Sequence, residues 1–468
     1  MTLMGVKFRA YPTTVQKRVL NQWMGCGKFI YNAKCAEDRY FRAFRRGSLS
    51  LTGHPIPVDQ TYSQFKSEAT PWLKECPSQI LRNSAVIWYE AYQKYFKRRA
   101  GKPVPKKKGS NSSIGLTSEL FALEEGKAGK WTLFIGTQTK NIGFLSFHAH
   151  RSFKMPKSIT LSRINGKYFV SFNYEDGLIP IDPWVRVHPL IQQGEAALLE
   201  MTQGHDRGVK IGVQSSSGES YGLTPQQRRR VERKKKGLKR QQRRLARQEK
   251  GSKRYQKTKQ RMTQAHQKLG NIRTDYAHQT SRQIVDGAAS ILVWEDLPTK
   301  QMTKKAQPKQ DEKGKFLPNR ASAKSGLNEA ILGSVWGLVL QYVGYKAKAT
   351  GKLVIILDPR YSSQECAQCH HTHPDNRLSQ SLFVCLGCGH IENADQNASE
   401  IMKYRGVRAL LEIPSEQWEE THKGSGIWKI CKIPAGTRGS ARGGKGKTQD
   451  AKRLVQSQRS ANRVVASG

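Results

Sequence analysis

Three acidic residues, far apart in the 468-residue chain, stand where apolar segments begin or end. Asp206 lies in GHDRGVK, Glu295 closes the strand-like run ASILVWE, and Asp395 opens a helical pattern in GHIENADQNASEIM. One carboxylate in the first turn of a helix is ordinary, because the helix dipole favours a negative charge there. Three acids at strand and helix ends are what a hard divalent metal ion requires. The sequence therefore predicts a metal–carboxylate site formed by these three residues.

A second possible metal site is made of cysteines. Two C-x2-C pairs, separated by fifteen residues, comprise Cys366, Cys369, Cys385 and Cys388. This spacing predicts a zinc ribbon in which four thiolates close a tetrahedral shell, so the ion is structural rather than catalytic. Four nearby histidines could serve as spare ligands, but the cysteines already fill the shell. The other four cysteines are scattered, which argues against a disulfide framework.

The elements that position these residues can be read from the hydrophobic pattern. The run LVIILD, which ends at Asp358, reads as a buried strand, and Asp358 is an alternative metal ligand that ranks below the other three acids. The segment from Leu327 to Ala349 reads as one amphipathic helix. Near the N-terminus, Thr13 and Gln16 form a capping-box pattern that opens a helix. Residues 131–174 read as antiparallel strands with a hairpin turn at Asn165-Gly166.

The net charge of +44 is the dominant feature of the composition. Such an excess predicts a polyanionic partner, nucleic acid before anionic membrane. The charge is concentrated between Arg228 and Arg261, where 18 Lys and Arg face two acids. Apolar residues recur there every seven positions in two offset sets, which predicts an antiparallel helical hairpin with cationic flanks. The alternative is a solvated helical face.

Two basic clusters are candidate nucleic-acid contacts. The first opens the predicted hairpin and consists of Arg228, Arg229, Arg230, Arg233, Lys234, Lys235 and Lys236. The second follows a helix predicted from about residue 78 to 99 and consists of Lys106, Lys107 and Lys108, for which a solvated run of charges is the alternative.

No apolar run reaches 18 residues and no signal-peptide pattern is present, so we expect no membrane partner and a cytoplasmic protein.

Taken together, GHDRGVK, VWEDL and NADQNAS resemble the three acidic motifs of a RuvC-type nuclease domain. Their arrangement with the cysteine pairs resembles TnpB, the RNA-guided nuclease of bacterial transposons, and the related compact type V CRISPR effectors. The opening strand followed by PTTVQ and Tyr31-Asn32 is similar to the start of that family. The resemblance covers residues 5–403, most specifically the last 200 of them, and does not extend to 404–468.

The resemblance implies a multidomain α+β fold, in which a wedge-like N-terminal β-barrel is interrupted by a helical recognition lobe. An RNase H-like α/β RuvC domain with an inserted zinc ribbon then follows. The expected boundaries are 1–13 and 126–198 for the barrel with its linker, 14–125 for the recognition lobe, 199–365 and 391–405 for the RuvC domain, 224–285 for its basic hairpin, 366–390 for the ribbon and 406–468 for a basic, partly disordered tail.

The resemblance also implies an RNA-guided DNA endonuclease. Asp206, Glu295 and Asp395 would bind two Mg²⁺ ions about 4 Å apart, and one Zn²⁺ would be structural. The expected partners are a guide RNA and a target DNA beside a short flanking motif, and the protein is expected to be a monomer in a prokaryotic cytoplasm with the nucleoid. Three alternatives remain open: a nuclease-inactive RNA-guided repressor, a guide-independent metal-dependent DNA nuclease, and a structural RNA-binding protein with a zinc ribbon.

Overall fold

A computed structural model describes residues 3–47, 58–107, 109, 111–175, 177 and 181–431. Two seven-stranded sheets organise these residues, one in each half of the chain. The predicted contact Lys108 and the part of the expected tail after residue 431 lie outside the described residues.

The first sheet is antiparallel and has the strand order β2-β6-β7-β1-β5-β4-β3. Its strands are β1 (Leu3–Ala10), β2 (Ser112–Thr117), β3 (Phe121–Glu125), β4 (Lys130–Gly136), β5 (Asn141–His148), β6 (Ser158–Ile164) and β7 (Lys167–Glu175). The β6–β7 turn is the predicted Asn165-Gly166, and both residues have positive φ, as a tight hairpin turn requires. β1 lies in the middle of the sheet although it is first in sequence.

Two long helices cover one face of this sheet: α1 (Thr14–Gly47) and α2 (Ser78–Phe96). The predicted capping box opens α1, since Thr13 N donates to Gln16 Oε1 at 2.9 Å and Gln16 N donates to Thr13 Oγ1 at 3.3 Å. Apolar side chains of both helices and of the strands form one buried core. The interruption of the sheet by helices between β1 and β2 is therefore as the sequence predicts.

Two expectations for this half are corrected. The edge strands β2 and β3 do not pair with each other in the described residues, so the sheet is not a closed barrel. Residues 112–125, expected in the helical lobe, instead form β2 and β3. Ile114 and Leu116 are buried in the core with the other strands, which explains why this segment joins the sheet.

The second sheet is mixed and has the order β10-β9-β8-β11-β14-β18-β17. Its strands are β8 (Thr202–Asp206), β9 (Val213–Ser215), β10 (Ser220–Tyr221), β11 (Ile291–Glu295), β14 (Leu353–Leu357), β17 (Trp418–Glu420) and β18 (Trp428–Ile430). β8, β11, β14 and β18 run parallel, and β11 and β14 are buried on both faces. Parallel central strands place their carboxyl ends at one edge of the sheet.

Helices cover both faces of this sheet. The helices of this half are α3 (Trp184–Gln193), α4 (Glu195–Met201), α5 (Pro225–Ala246), α6 (Lys253–Asp286), α7 (Thr299–Met302), α8 (Ala321–Ser334), α9 (Trp336–Thr350) and α10 (Ala394–Glu412). The core on one face contains side chains from α6 and α9, and the core on the other contains side chains from α3, α4 and α10. The result is a helix–sheet–helix sandwich, in which α5 and α6 form the basic helical hairpin.

Small strand pairs complete the fold: β12 (Lys309–Gln310) with β13 (Phe316–Leu317), and β15 (Phe383–Val384) with β16 (Ile391–Glu392). β15 lies in the cysteine-containing segment 366–390, which we call the cysteine module, and β16 follows that segment just before α10. The expected tail begins too early, because α10 continues to Glu412 and β17 and β18 extend the second sheet. Buried Trp418 anchors this extension in the core beside α3.

Candidate active site

The three predicted acids are brought to one edge of the second sheet. Asp206 ends β8 and Glu295 ends the neighbouring parallel strand β11. Asp395 lies in the first turn of α10, as predicted, and α10 packs on β8. Residues separated by up to 189 positions in the sequence thus converge because two parallel strands end together and a helix begins beside them.

Close packing fixes α10 against the sheet. A Cβ on Gly204 of β8 would overlap the carbonyl oxygen of Ser399, and a Cβ on Gly406 of α10 would overlap the side chain of Val293. The glycines therefore let the helix and the sheet approach more closely than any other residue would allow. This approach brings the start of α10 to the end of β8.

Hydrogen bonds orient the first turn of α10. Asn393 caps the helix, since its Oδ1 accepts from Asp395 N at 2.9 Å and from Gln396 N at 3.3 Å. The Gln396 side chain donates to Ser216 O at 3.2 Å and accepts from Gln214 Nε2 at 2.7 Å. The turn that carries Asp395 is thereby tied to β9 and its following loop.

Burial and crowding of negative charge dominate the electrostatics. The pKa of Asp206 is raised well above its usual value by burial, then by the charges of Glu295 and Asp395. Burial also raises the pKa of Glu295, whose side chain is 5 % exposed, and the Arg207 guanidinium opposes that rise. The effect of both neighbouring acids on Asp206 shows that the three carboxylates share one electrostatic site.

Two arginines that sequence reasoning missed balance part of this charge. Buried Arg207 donates from its backbone N to Glu295 Oε2 at 3.4 Å and from its guanidinium to the Glu295 carbonyl oxygen. Arg377, from the cysteine module, pairs with Asp395 at 3.2 Å and lowers the pKa of Asp206. Arg207 could have been suspected because it directly follows Asp206, whereas no sequence spacing marks Arg377.

Asp206 and Glu295 open onto a cleft of about 1000 Å³. Asp296, Asp358 and Arg377 also line it, so the acid that the sequence ranked lower, Asp358, lies at the same cleft. Asp358 is 63 % exposed, accepts from Arg360 N at 3.0 Å and pairs with the Arg360 guanidinium at 3.5 Å. It differs from Glu295 in being exposed.

The four cysteines form the second predicted cluster. Their sulfur atoms all lie within 4.8 Å of one another, a spacing that one metal ion can bridge. Across residues 3–431, apart from the gaps given above, no other group of three or more Cys, His, Asp and Glu side chains is this tight. The nearby histidines therefore stay outside the cluster, and the three carboxylates do not form a group of this tightness in the described residues.

The cysteine module is fixed to α10. Buried Asn397 accepts from Ala367 N at 2.9 Å and donates to Glu365 O at 2.8 Å. Arg405 pairs with Glu365 at 2.5 Å. Because Asn397 is two residues from Asp395, the position of the third acid is linked to the integrity of the module.

The predicted basic contacts lie on two surfaces. Arg228 and Lys235 line a cavity of about 340 Å³ together with Arg273, while Arg229, Arg230, Arg233 and Lys236 are exposed along α5 and Lys234 is half-buried. Lys106 and Lys107 line another cavity of about 370 Å³ beside β2 and β6. The contact of these basic residues with nucleic acid stays a prediction.

No helix in the described part of the chain is long and apolar enough to cross a membrane.

Comparisons with known proteins agree with this architecture. Family models match residues 336–402 (a Cas12f1-like TNB domain), 212–306 (the OrfB_IS605 family, described as "Probable transposase") and 1–37 (its helix-turn-helix domain). The chain is 29 % identical over 414 residues to "Putative RNA-guided DNA endonuclease InsQ" of Escherichia coli (strain K12), covering 87 % of this chain and 93 % of that protein.

Two further matches are to proteins named Cas12f1, one in sequence and one in fold. The chain is 32 % identical over 150 residues to a CRISPR-associated endodeoxyribonuclease Cas12f1 of Sulfoacidibacillus thermotolerans, covering 32 % of this chain and 31 % of that protein. The fold of this chain is similar to that of a chain in a cryo-EM structure of a Cas12f1–sgRNA–target DNA complex, with a TM-score of 0.51 and 13 % identity. The similarity covers 86 % of this chain and 98 % of the other.

The fold and site thus define a multidomain α+β protein with an acidic cleft and a four-cysteine module. The chain is similar to the OrfB_IS605 and Cas12f1-like family models and to InsQ, so the resemblance that its motifs indicate is confirmed.

Proposed function

We propose that this protein is an RNA-guided DNA endonuclease that hydrolyses DNA phosphodiesters in the cleft at the end of β8 and β11. InsQ, which aligns with most of the chain, is named "Putative RNA-guided DNA endonuclease". The net charge of +44 suits a protein that holds a guide RNA paired with a target DNA strand. Action on DNA agrees with the expected cytoplasmic location beside the nucleoid.

The observation that carries the proposal is the convergence of Asp206, Glu295 and Asp395. Burial, and then the charges of Glu295 and Asp395, raise the pKa of Asp206, so keeping all three carboxylates charged is unfavourable for the stability of the fold. Arrangements of this kind occur where charge serves chemistry rather than stability. A purely structural RNA-binding protein gains nothing from them.

The donor set fits two magnesium ions. All three residues offer hard carboxylate oxygens, and their combined negative charge exceeds what Arg377 offsets. Each carboxylate offers two oxygen atoms, so the three residues can ligate two ions between them. When bound, such ions supply an activated water and stabilise the leaving oxygen of an in-line displacement.

The chain's own residues prepare this site. Arg207 holds the Glu295 backbone and carboxylate, so Glu295 points into the cleft in a fixed orientation. Arg377 neutralises Asp395 and lies where a phosphate could exchange with the carboxylate as its partner. Lys429 and Arg360 add cations to the cleft walls that favour a DNA backbone.

The domain assignment follows from this function. We assign the second sheet and its helices to the RuvC-like nuclease domain, and the first sheet with α1 and α2 to the wedge and recognition parts. The cysteine module is assigned one structural Zn²⁺, which keeps α10 and Asp395 in place. The basic hairpin α5–α6 and the lysines after α2 are assigned to contacts with guide RNA or target DNA.

The test is cleavage of a DNA target matched to the RNA that copurifies with the full-length protein. Asp206→Ala, Glu295→Ala and Asp395→Ala should each be as inactive as the triple variant, because the residues act as one unit. Binding of guide and target should be retained in each. Asp296→Asn and Asp358→Asn are matched controls from the same cleft and should still cut.

The outcomes separate the alternatives. A wild type that binds guided DNA but never cuts it, with any divalent metal, is an RNA-guided repressor. Cleavage that survives complete RNase treatment indicates a guide-independent nuclease. If Asp358→Asn is inactive while Asp395→Ala cuts, the third acid is misassigned.

A further inference from the structure

Tyr361 combines two features that rarely occur together. Its backbone has φ +62°, in the left-handed region that residues with a Cβ disfavour, and its side chain is 64 % exposed. A large exposed apolar ring in a disfavoured conformation contributes little to folding. Such strain persists only where the surroundings enforce it, and it is concentrated at functional sites.

The surroundings of Tyr361 do enforce it. The Tyr361 carbonyl oxygen accepts from Gln364 N at 2.9 Å and from Glu365 N at 3.0 Å. On the preceding side, Arg405 Nη1 donates to Arg360 O at 2.8 Å. The turn after β14 is therefore fixed on both sides, and it presents the Tyr361 ring to solvent on a rigid base.

This turn lies at the mouth of the acidic cleft. Residues on both sides of Tyr361, namely Arg360, Ser362 and Ser363, line that cleft, although the Tyr361 ring itself is not part of its wall. The Arg360 side chain is 82 % exposed. The turn thus carries an exposed ring, on which a base could stack, directly after a cation that lines the cleft and pairs with Asp358.

We propose that Tyr361 stacks on a nucleobase of the single-stranded DNA segment whose phosphodiester enters the cleft, and thereby positions that phosphodiester. The inference rests on the proposed endonuclease function. Base faces are accessible in single strands and covered in a duplex, so the ring selects unpaired DNA. Stacking accepts every base, which suits an enzyme whose sequence choice comes from guide pairing.

Three variants separate the ring from the strained turn. Tyr361→Phe keeps the ring, Tyr361→Ala removes it and keeps the disfavoured backbone, and Tyr361→Gly removes both the ring and the strain. Tyr345→Ala is the matched control, because Tyr345 is exposed on α9 more than two turns from Trp336, the α9 residue that lines the cleft.

Two measurements are made on the full-length protein with its guide RNA. The first is the single-turnover rate of guided DNA cleavage. The second is the fluorescence of 2-aminopurine, placed at successive positions of the unpaired strand, in a Glu295→Gln background that leaves the DNA uncut. Stacking on an aromatic ring quenches this fluorescence.

The Ala and Gly variants of Tyr361 should cut about tenfold more slowly than wild type, within the range expected for the loss of one base–aromatic stack. Both should lose the quenching at one position, although Tyr361→Gly should unfold at the same or a higher temperature than wild type. Tyr361→Phe and Tyr345→Ala should match wild type in both measurements.

Wild-type cleavage and quenching in Tyr361→Gly would overturn the proposal and reduce Tyr361 to a turn residue. Activity that followed thermal stability across the variants would overturn it as well. If the wild type cuts no guided DNA, the endonuclease function itself fails. The fluorescence comparison needs only bound DNA and still decides the role of Tyr361.

Discussion

The buried histidine beside the first acid gives a quantitative prediction. His205 is fully buried, stacks on Trp294 with ring centroids 4.4 Å apart, and has its Nδ1 3.2 Å from Val293 O. Burial lowers its pKa to about 3. We consider His205→Asn, which removes the titrating group and keeps an amide that can donate to Val293.

The size and sign of the effect follow from proton linkage. Below the unfolded-state pKa of 6.5 the unfolded chain binds a proton that the folded chain refuses, so stability is lost as pH falls from 6.5 towards 3. The loss is about 1.4 kcal/mol per pH unit, or about 2 kcal/mol at pH 5. His205→Asn lacks this loss, although the missing ring stack makes it less stable at pH 7.

Hydrogen exchange measures the stability of the relevant sheet by itself. The opening free energies of peptides from β8 and β11 should be higher in the wild type than in His205→Asn at pH 7. This difference should shrink by about 2 kcal/mol at pH 5. Peptides from β1 and β7, in the other sheet, are the internal control and should show no difference between the proteins. If the opening free energies of β8 and β11 changed with pH in the same way in wild type and His205→Asn, His205 would be protonated inside the fold. That result would refute the reasoning.

Three further changes test the site. Arg377→Gln should move the pH dependence of Mg²⁺ binding upward, because it removes the cation that lowers the pKa of Asp206; an unmoved curve in titration calorimetry would contradict this. Cys388→Ser should release zinc, measured by elemental analysis, and lower the melting temperature; a zinc-free protein with wild-type stability would exclude a structural ion. Gly204→Ala should cost about 1–3 kcal/mol and slow cleavage, because α10 must move away from β8. Its control, Gly270→Ala, meets nothing within 4 Å and should be neutral or stabilising in the same thermal melts.

The elements that hold the site could be predicted where local patterns decide them. The apolar runs of β11 and β14, the start of α10 at Asp395, and the capping box of α1 depend on short-range hydrophobicity and hydrogen bonding. The cysteine cluster was predictable for the same reason, since its spacing fixes its geometry.

Other features depend on contacts that no local pattern reveals. The predicted helix from Leu327 to Ala349 is broken at Val335, whose φ of +53° separates α8 from α9. The break lets Trp336 donate to Gly208 O at 3.0 Å, in the loop after β8. Similarly, β17 and β18 join the sheet through a long-range pairing with β14, and Arg377 of the cysteine module pairs with Asp395, 18 positions later in the sequence.

The late position of Asp395 affects the protein while it is being made. The ribosome adds 189 residues between Asp206 and Asp395, which takes on the order of 10 to 40 s at ordinary elongation rates. After Asp286 has been added, the nascent chain contains the whole basic hairpin but still lacks the third carboxylate and the helix that carries it. A chain truncated before α10 therefore retains the cationic surface proposed to hold guide RNA without a complete nuclease centre, and such a product would compete with the full-length enzyme for its guide.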